Sequence, residues 1–314
     1  MNTPILLLVY KKPETTKKVV DAIRKSKVKK IYISINIPPK KKIEDLENSK
    51  KVIDIINTID WNCKVIIKKR TKFINAYDSY DQAVKWFFKN EKEGIILEDD
   101  TLPSTSFFIF CEKLLKKYRK HRNIAQICGT SFINKKINKG DPNYFFSNYS
   151  LCWGYATWRH SIKDHDYKMK DWKNIKKNNV FFNILNNKKF VFYWTFIFDQ
   201  LYSKKFKAWD YFWLYSNWKN KKISIIPKKH LIQNIGFTKD ATHTKIKYRD
   251  WYNDLKPSNI KYFDNHPKKI IINIKYDLWV SQMIFKIDKF YQKKNIFYSS
   301  MRTLISLLMF KSKQ

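Results

Sequence analysis

Short apolar runs alternate with amphipathic stretches through the first hundred residues, and few architectures accept that pattern. It is the signature of βαβ units wound around a mostly parallel sheet. Ile5 to Tyr10 reads as strand one, and Pro13-Glu14-Thr15 opens a helix carrying Val19, Val20 and Ile23 at helical spacing. Ile31 to Ile35 reads as strand two, followed by Pro38-Pro39 and a helix near Ile43 to Ile59. Val65 to Ile67 reads as a third strand, Asp78 to Asn90 as a helix ended by Gly94, and Ile95-Ile96-Leu97 as a fourth strand. Pro103-Ser104 opens the next helix, and Ile124 to Cys128 reads as a fifth strand. From Asn138 to Trp209 the pattern weakens into aromatic, Asn- and Lys-rich sequence with few clear elements. A helix over 210–219 precedes a strand at Ile223 to Ile226, and no internal repeat is visible. The fold class expected is α/β: a Rossmann-like, mostly parallel sheet flanked by helices, with a C-terminal extension.

In open α/β sheets, ligands sit beyond the carboxyl ends of the strands, and Glu98-Asp99-Asp100 occupies that position on strand four. Three adjacent carboxylates resist ionising together unless a positive charge offsets them. A divalent cation supplies such a charge. Hard oxygen ligands suit Mg2+ or Mn2+, which use one or two protein carboxylates while a substrate diphosphate completes the shell. The bland alternative is that these acids only favour the start of the following helix.

The residues also resemble a family. The stretch from Gly94 through Glu98-Asp99-Asp100 to Pro103, followed by Phe107-Phe108 and Cys111-Glu112-Lys113-Leu114-Leu115, looks like the Glu-Asp-Asp segment of nucleotide-diphospho-sugar transferases of the GT-A fold. It is most similar to bacterial relatives of N-acetylglucosaminyltransferase I. Further segments agree in order: Val9 to Thr16, Cys152-Trp153-Gly154-Tyr155-Ala156-Thr157-Trp158-Arg159, Trp209 to Trp213, and Asn234 to His243. The resemblance spans most of residues 4 to 245. It implies a GT-A glycosyltransferase domain over 1–245, with a nucleotide-binding half at 1–130 and an acceptor half at 131–245. Residues 246–314 form the extension.

By that resemblance Asp100 holds the metal, Asp99 approaches the donor ribose or metal shell, and Glu98 contacts the nucleotide end. Tyr10, after strand one, joins them on the donor side. Asp210 is the candidate general base, accepting the acceptor hydroxyl's proton as that oxygen attacks the anomeric carbon; a helix N-cap is its ordinary alternative. His243 is a candidate metal or phosphate contact, against the ordinary fate of a surface histidine. Trp153, Gly154 and Trp158 are candidates to floor the acceptor site, against core packing. Arg159 is a candidate to neutralise the diphosphate, against a solvated helix position. Two departures stand out. Relatives commonly carry Asp-Gly-Pro after strand two, where this chain has Asn36-Ile37-Pro38, and the usual Asn-Arg-Pro after strand one reads Lys11-Lys12-Pro13. Asn36 can still hydrogen-bond a uracil, so a UDP-sugar stays the expected donor; inverting transfer is implied only by the likeness to the N-acetylglucosaminyltransferase I group.

The net charge of +37 invites a nucleic-acid reading, but 57 of the 64 basic residues are lysine, spread along the chain, and phosphate forks and base-edge readers favour arginine. A solvated lysine surface suited to peripheral contact with anionic lipid is expected instead, with no specific nucleic-acid partner. A non-catalytic basic protein binding nucleic acid or membrane is the alternative from another class. Cys63, Cys111, Cys128 and Cys152 form no CxxC pair, and reduced thiols are expected. No signal-type segment or membrane span is read, so the expected location is the cytoplasm. The expected acceptor is a glycan or lipid-linked sugar at the inner membrane face, with a tail at Met301 to Phe310 suited to attachment. A pyrophosphorylase or dinucleotide oxidoreductase is disfavoured because no Gly-rich phosphate loop follows strand one.

Overall fold

A computed structural model describes residues 1–133, 138, 140–236, 255–260 and 264–294. His243, the segment from Phe237 onward that carries it, and the tail at Met301 to Phe310 lie outside the described residues. Packing divides the chain into two units, residues 1–167 with 208–272 and residues 168–207 with 273–314, so the division cuts the chain elsewhere than at 245.

The first unit is built on an eight-stranded sheet. In chain order its elements begin β1 (Ile5–Val9), α1 (Pro13–Lys25), β2 (Lys30–Ile35), α2 (Ile43–Asn57), β3 (Lys64–Lys69), α3 (Ala76–Asn90) and β4 (Glu93–Glu98). They continue with β5 (Thr101–Pro103), α4 (Thr105–Tyr118), β6 (Ile124–Cys128), β7 (Tyr144–Ser147), β8 (Tyr155–Trp158) and α5 (Arg159–Lys163). After the second unit's insertion come α9 (Trp209–Lys219), β9 (Ile223–Pro227) and β10 (Ile232–Asn234). The strand order is β3-β2-β1-β4-β8-β6-β9-β7. β1, β2, β3 and β4 run parallel, and β6 and β9 share their direction through the antiparallel β8; β7 is antiparallel at the far edge. This is the expected Rossmann-like sheet flanked by helices.

Parallel strands covered on both faces read as continuous apolar runs, and β1, β2 and β4 do so here. Alternate side chains serve opposite faces. Ile5, Leu7 and Val9 join Ile95, Leu97, Val19 and Ile23 in one core, while Leu6 and Ile96 join Ala83, Val84, Phe87 and Phe88 in the other. β3 is an edge strand, and its Lys64, Lys68 and Lys69 discourage further pairing. Pro13 opens α1 at its first position, where a missing N–H costs nothing.

Two expectations are corrected. Gly94 does not end α3, which stops at Glu91. It lies inside β4, where a Cβ would fall 2.3 Å from the Phe87 ring and 2.9 Å from the Pro4 carbonyl, so the glycine serves close packing. The stretch from Asn138 to Trp209 also holds more structure than its pattern suggests. β7 and β8 are four-residue strands buried at every position, and such strands show no alternation.

The second unit is helical, with α6 (Trp172–Lys177), α7 (Phe182–Leu185), α8 (Lys188–Tyr202), α10 (Ile274–Met283) and a helical stretch over 287–294. Phe190, Tyr193, Trp194, Phe198 and Leu201 of α8 form its buried stripe, and Asp199 accepts the Trp172 indole N–H at 2.9 Å. Among the described residues, no helix is long and apolar enough to cross a membrane.

Candidate functional site

Strand order reverses beside β1, between β2 and β4, and in open α/β sheets ligands sit at such a switch point, beyond the strands' carboxyl ends. Leu8 pairs with Glu98, so the residues after β1 and those after β4 leave the sheet side by side. A tight turn follows β4. The Thr101 hydroxyl accepts the Glu98 N–H at 2.9 Å and lies 3.0 Å from the Glu98 carbonyl, leaving Asp99 and Asp100 at the tip. Asp99 is buried and accepts the Tyr10 backbone N–H at 2.9 Å, so Tyr10 meets the site through its main chain.

Asp100 is held from two sides. Lys12 Nζ lies 2.7 Å from its Oδ2, with both side chains less than one-fifth exposed. On the other side β10 pairs with β5, and the Ile235 N–H donates to the Asp100 carbonyl at 2.8 Å. Gly236 then passes so close that a Cβ there would lie 2.1 Å from Asp100 Oδ2. Burial is the main force raising the carboxyls of Glu98 and Asp99, reinforced by the charge on Asp100 and opposed by Lys12. Burial lowers the Lys12 ammonium while Asp100, Asp99 and Glu98 raise it, and the net direction is upward.

Asp210 belongs to the same end of the sheet. It occupies the first turn of α9, is exposed, and its charge further raises Glu98 and the Cys152 thiol. Its position is fixed by Trp209, which is buried against Tyr80 (ring centroids 4.6 Å apart), Tyr155 (6.2 Å), His165 (5.1 Å) and Trp213 (5.4 Å). The Tyr80 hydroxyl reaches that of Tyr155 at 3.3 Å. Burial of the Trp209 indole leaves its N–H without a hydrogen-bond partner.

Asn36 follows β2 and is 7% exposed. Its Nδ2 donates to the Ile74 carbonyl at 2.9 Å, which fixes the amide's orientation, and its Oδ1 is buried with no partner. A buried acceptor without a donor is costly. A base-edge N–H would satisfy it.

Trp153 and Gly154 precede β8 at the level of Glu98. Trp153 is half-buried and edge-on to Phe132, and Gly154 (φ +61°) is pressed against Ile232 and accepts the Gly129 N–H at 2.8 Å. Trp158 and Arg159 are not there. β8 runs antiparallel to β4, with Trp158 opposite Glu93, so both lie roughly 16 Å away at the amino end of β4. Trp158 is a core residue whose indole N–H reaches the Leu115 carbonyl, and Arg159 Nε donates to the Glu91 carbonyl at 3.0 Å. An acceptor floor at Trp158 and a diphosphate contact at Arg159 are therefore both corrected.

No protein-family model and no curated protein sequence matches the chain. Among solved structures it is similar to a 4-diphosphocytidyl-2C-methyl-D-erythritol synthase from Anaerococcus prevotii, at 9% identity and a TM-score of 0.38, over 71% of this chain and 87% of that one. A mannosyltransferase from Pyrobaculum calidifontis, in complex with GDP-Man and Mn2+, is similar at 10% identity and 0.34, over 50% and 45%. An apo UDP-glucose pyrophosphorylase is similar at 8% identity and 0.34, over 75% and 93%.

Among the described residues no group of three or more His, Cys, Asp or Glu is placed to share a metal ion. One or two hard carboxylates nonetheless suffice for Mg2+ or Mn2+ when a diphosphate completes the shell. The Lys12 ammonium, seated on Asp100 Oδ2, stands in for such a cation and marks the position as one that takes positive charge. The residues fit the ion on that observation. Spaces of about 580 Å³ between α6, α7 and α8 and about 450 Å³ between α1 and the start of α4 border neither the acidic turn nor Asp210. Lys12, Tyr80, Tyr155 and Trp209 are the site residues the sequence reading did not assign. The signal for Lys12 was its place immediately before Pro13, at the end of strand one.

Proposed function

We propose that the chain transfers a sugar from a nucleoside-diphosphate donor to an acceptor hydroxyl. The observation carrying this reading is the gathering, around one switch point, of a buried unpartnered acceptor (Asn36 Oδ1), a cation on a half-buried acid (Lys12 on Asp100) and a separate exposed carboxylate (Asp210). Each suits one part of a sugar nucleotide reaction. Asn36 accepts from the imino N–H of a uracil, favouring a UDP-sugar. Asp210 accepts the proton of the acceptor hydroxyl while that oxygen bonds to the anomeric carbon and the bond from that carbon to the diphosphate oxygen breaks, which inverts the anomeric centre. Trp209 and its aromatic neighbours hold Asp210 in place and exclude water beneath it. Trp153 and Gly154 flank the acceptor side. Asp100, with Asp99 beside it, would hold Mn2+ or Mg2+, and a bound ion stabilises the charge of the departing diphosphate.

The acceptor reading is a glycan or lipid-linked sugar, with the lysine-rich surface favouring one presented at an anionic membrane face and a cytoplasmic setting. The test is a panel of UDP- and GDP-sugars with Mn2+, read by mass spectrometry for released diphosphate and for sugar added to membrane extracts. Asp210→Asn should lower turnover at least about a hundredfold while donor affinity stays within a few fold. A chain that binds no sugar nucleotide, or an Asp210→Asn variant as active as the parent, refutes the proposal.

A further inference from the structure

Lys12 presents a conflict that the proposed reaction does not resolve by itself. Its ammonium contacts the same carboxylate oxygen of Asp100 that a donor-bound cation would use, at 2.7 Å, and both partners are largely withdrawn from water. Gly236 comes so close to that oxygen that a Cβ there would fall 2.1 Å from it, and the Asp100 backbone is tied by the Ile235 N–H at 2.8 Å. The Lys12 backbone is equally fixed. Its carbonyl accepts from the Thr16 N–H at 3.0 Å and the Thr16 hydroxyl at 2.6 Å, and Pro13 follows it at the first position of α1. Only the Lys12 side chain is free to move. A lysine carries its charge on a flexible four-carbon stem and exchanges partners readily.

A second, independent observation points to a ligand near this spot. The Asn36 N–H donates to the Val9 carbonyl at 3.2 Å, so Asn36 stands next to the chain that becomes Tyr10 and Lys12. Its buried, unpartnered Oδ1 is nine-tenths withdrawn from solvent. A base held at Asn36 would lie beside the chain that leads from Val9 to Lys12.

We infer that Lys12 is an exchangeable counter-ion: in the donor-free site it neutralises Asp100, and when a divalent cation takes Asp100 the displaced ammonium passes to the donor's diphosphate. The inference rests on the proposed sugar-nucleotide reading and adds to it an order of events. Without nucleotide, Lys12 competes with the metal and keeps its affinity low. With nucleotide, the ammonium gains phosphate oxygens and the competition ends, so metal and donor bind with positive cooperativity. Binding of each must strengthen the other by the same factor.

The experiment measures Mn2+ binding to the full chain by the electron paramagnetic resonance signal of free Mn2+, with and without UDP, and UDP and uridine binding by calorimetry at saturating Mn2+. Parent, Lys12→Gln and Lys12→Arg are compared, with circular dichroism melts to establish folding. Removing the ammonium should have opposite effects on the two ligands. Lys12→Gln should bind Mn2+ alone about tenfold or more tightly than the parent, and UDP about tenfold or more weakly, with uridine unchanged. Lys12→Arg should restore much of the UDP affinity. A Lys12→Gln variant that leaves both affinities unchanged, or weakens both, overturns the inference. So does UDP binding that is indifferent to Mn2+, although the proposed function would survive that result. If neither parent nor variants bind UDP under any condition, the proposed function itself fails. Should Lys12→Gln not fold, Asp100→Asn in the parent supplies the same contrast: Mn2+ affinity should be lost while UDP binding without metal is kept or improved, and loss of both overturns the inference.

Discussion

Acid should destabilise this protein through one histidine in particular. His230 lies on the link between β9 and β10, is fully buried, and takes the Ser131 N–H on Nδ1 at 3.4 Å. Burial lowers its pKa from the ordinary 6.5 to about 4. A depressed folded-state value means that the contribution is intact above the unfolded pKa. Below it, the unfolded chain binds a proton that the native state refuses, so stability declines as pH falls from 6.5 towards 4. Two and a half units at about 1.4 kcal/mol each give on the order of 3 kcal/mol, a large part of a typical domain's stability. His230→Gln keeps a polar group near the Ser131 N–H and cannot titrate. Urea unfolding of parent and variant at about pH 7.5 and about pH 4 checks the sign and size: the parent should lose on the order of 3 kcal/mol more than the variant between the two conditions. His160 is also lowered to about 4, by burial and by Arg122 and Lys222, but it is common to both proteins and cancels in the comparison. Equal losses in the two proteins would refute the assignment of acid sensitivity to His230.

Three further outcomes follow from the geometry. Gly94→Ala should lower stability by about 1–3 kcal/mol or more in a thermal melt, because the new methyl meets the buried Phe87 ring and a backbone carbonyl that cannot yield. Gly236→Ala should displace Asp100 and weaken Mn2+-dependent donor binding by calorimetry with little change in the melting temperature, since the overlap is with one carboxylate at the edge of the sheet. Arg159→Ala should leave donor affinity and turnover within twofold of the parent, because its guanidinium serves the Glu91 carbonyl at the far end of the strands.

How far the fold was legible depended on which rule each segment obeyed. The first hundred residues declared themselves because buried parallel strands are continuous apolar runs and their crossover helices keep an apolar stripe, as in Val19, Val20 and Ile23. β7 and β8 gave no such sign. Tyr144-Phe-Phe-Ser and Tyr155-Ala-Thr-Trp are too short to show a period, and nothing in their composition reveals that β8 enters the sheet between β4 and β6 running backwards. That single unknown direction sets Trp158 opposite Glu93, with Arg159 beyond it, and leaves Trp153 and Gly154 level with the carboxyl end of β4.

The acidic turn was legible only in part. Three adjacent carboxylates do require a positive charge, and the requirement is visible in the sequence. Its source is not, because Lys12 and Asp100 are 88 residues apart and meet only through the pairing of Leu8 with Glu98. Once that register is known, the outcome is nearly forced. Tyr10 to Lys12 and Asp99 to Asp100 emerge side by side, the Tyr10 N–H takes Asp99, and Pro13 prevents α1 from starting any earlier. The residue left facing Asp100 is whichever one precedes that proline. A neutral side chain there would leave the acid uncompensated, whereas lysine compensates it in this structure and, on the proposed reading, would make a metal compete for it. On the proposed reading, the identity of one residue before a proline thus bears on how tightly the site would bind metal in the absence of donor.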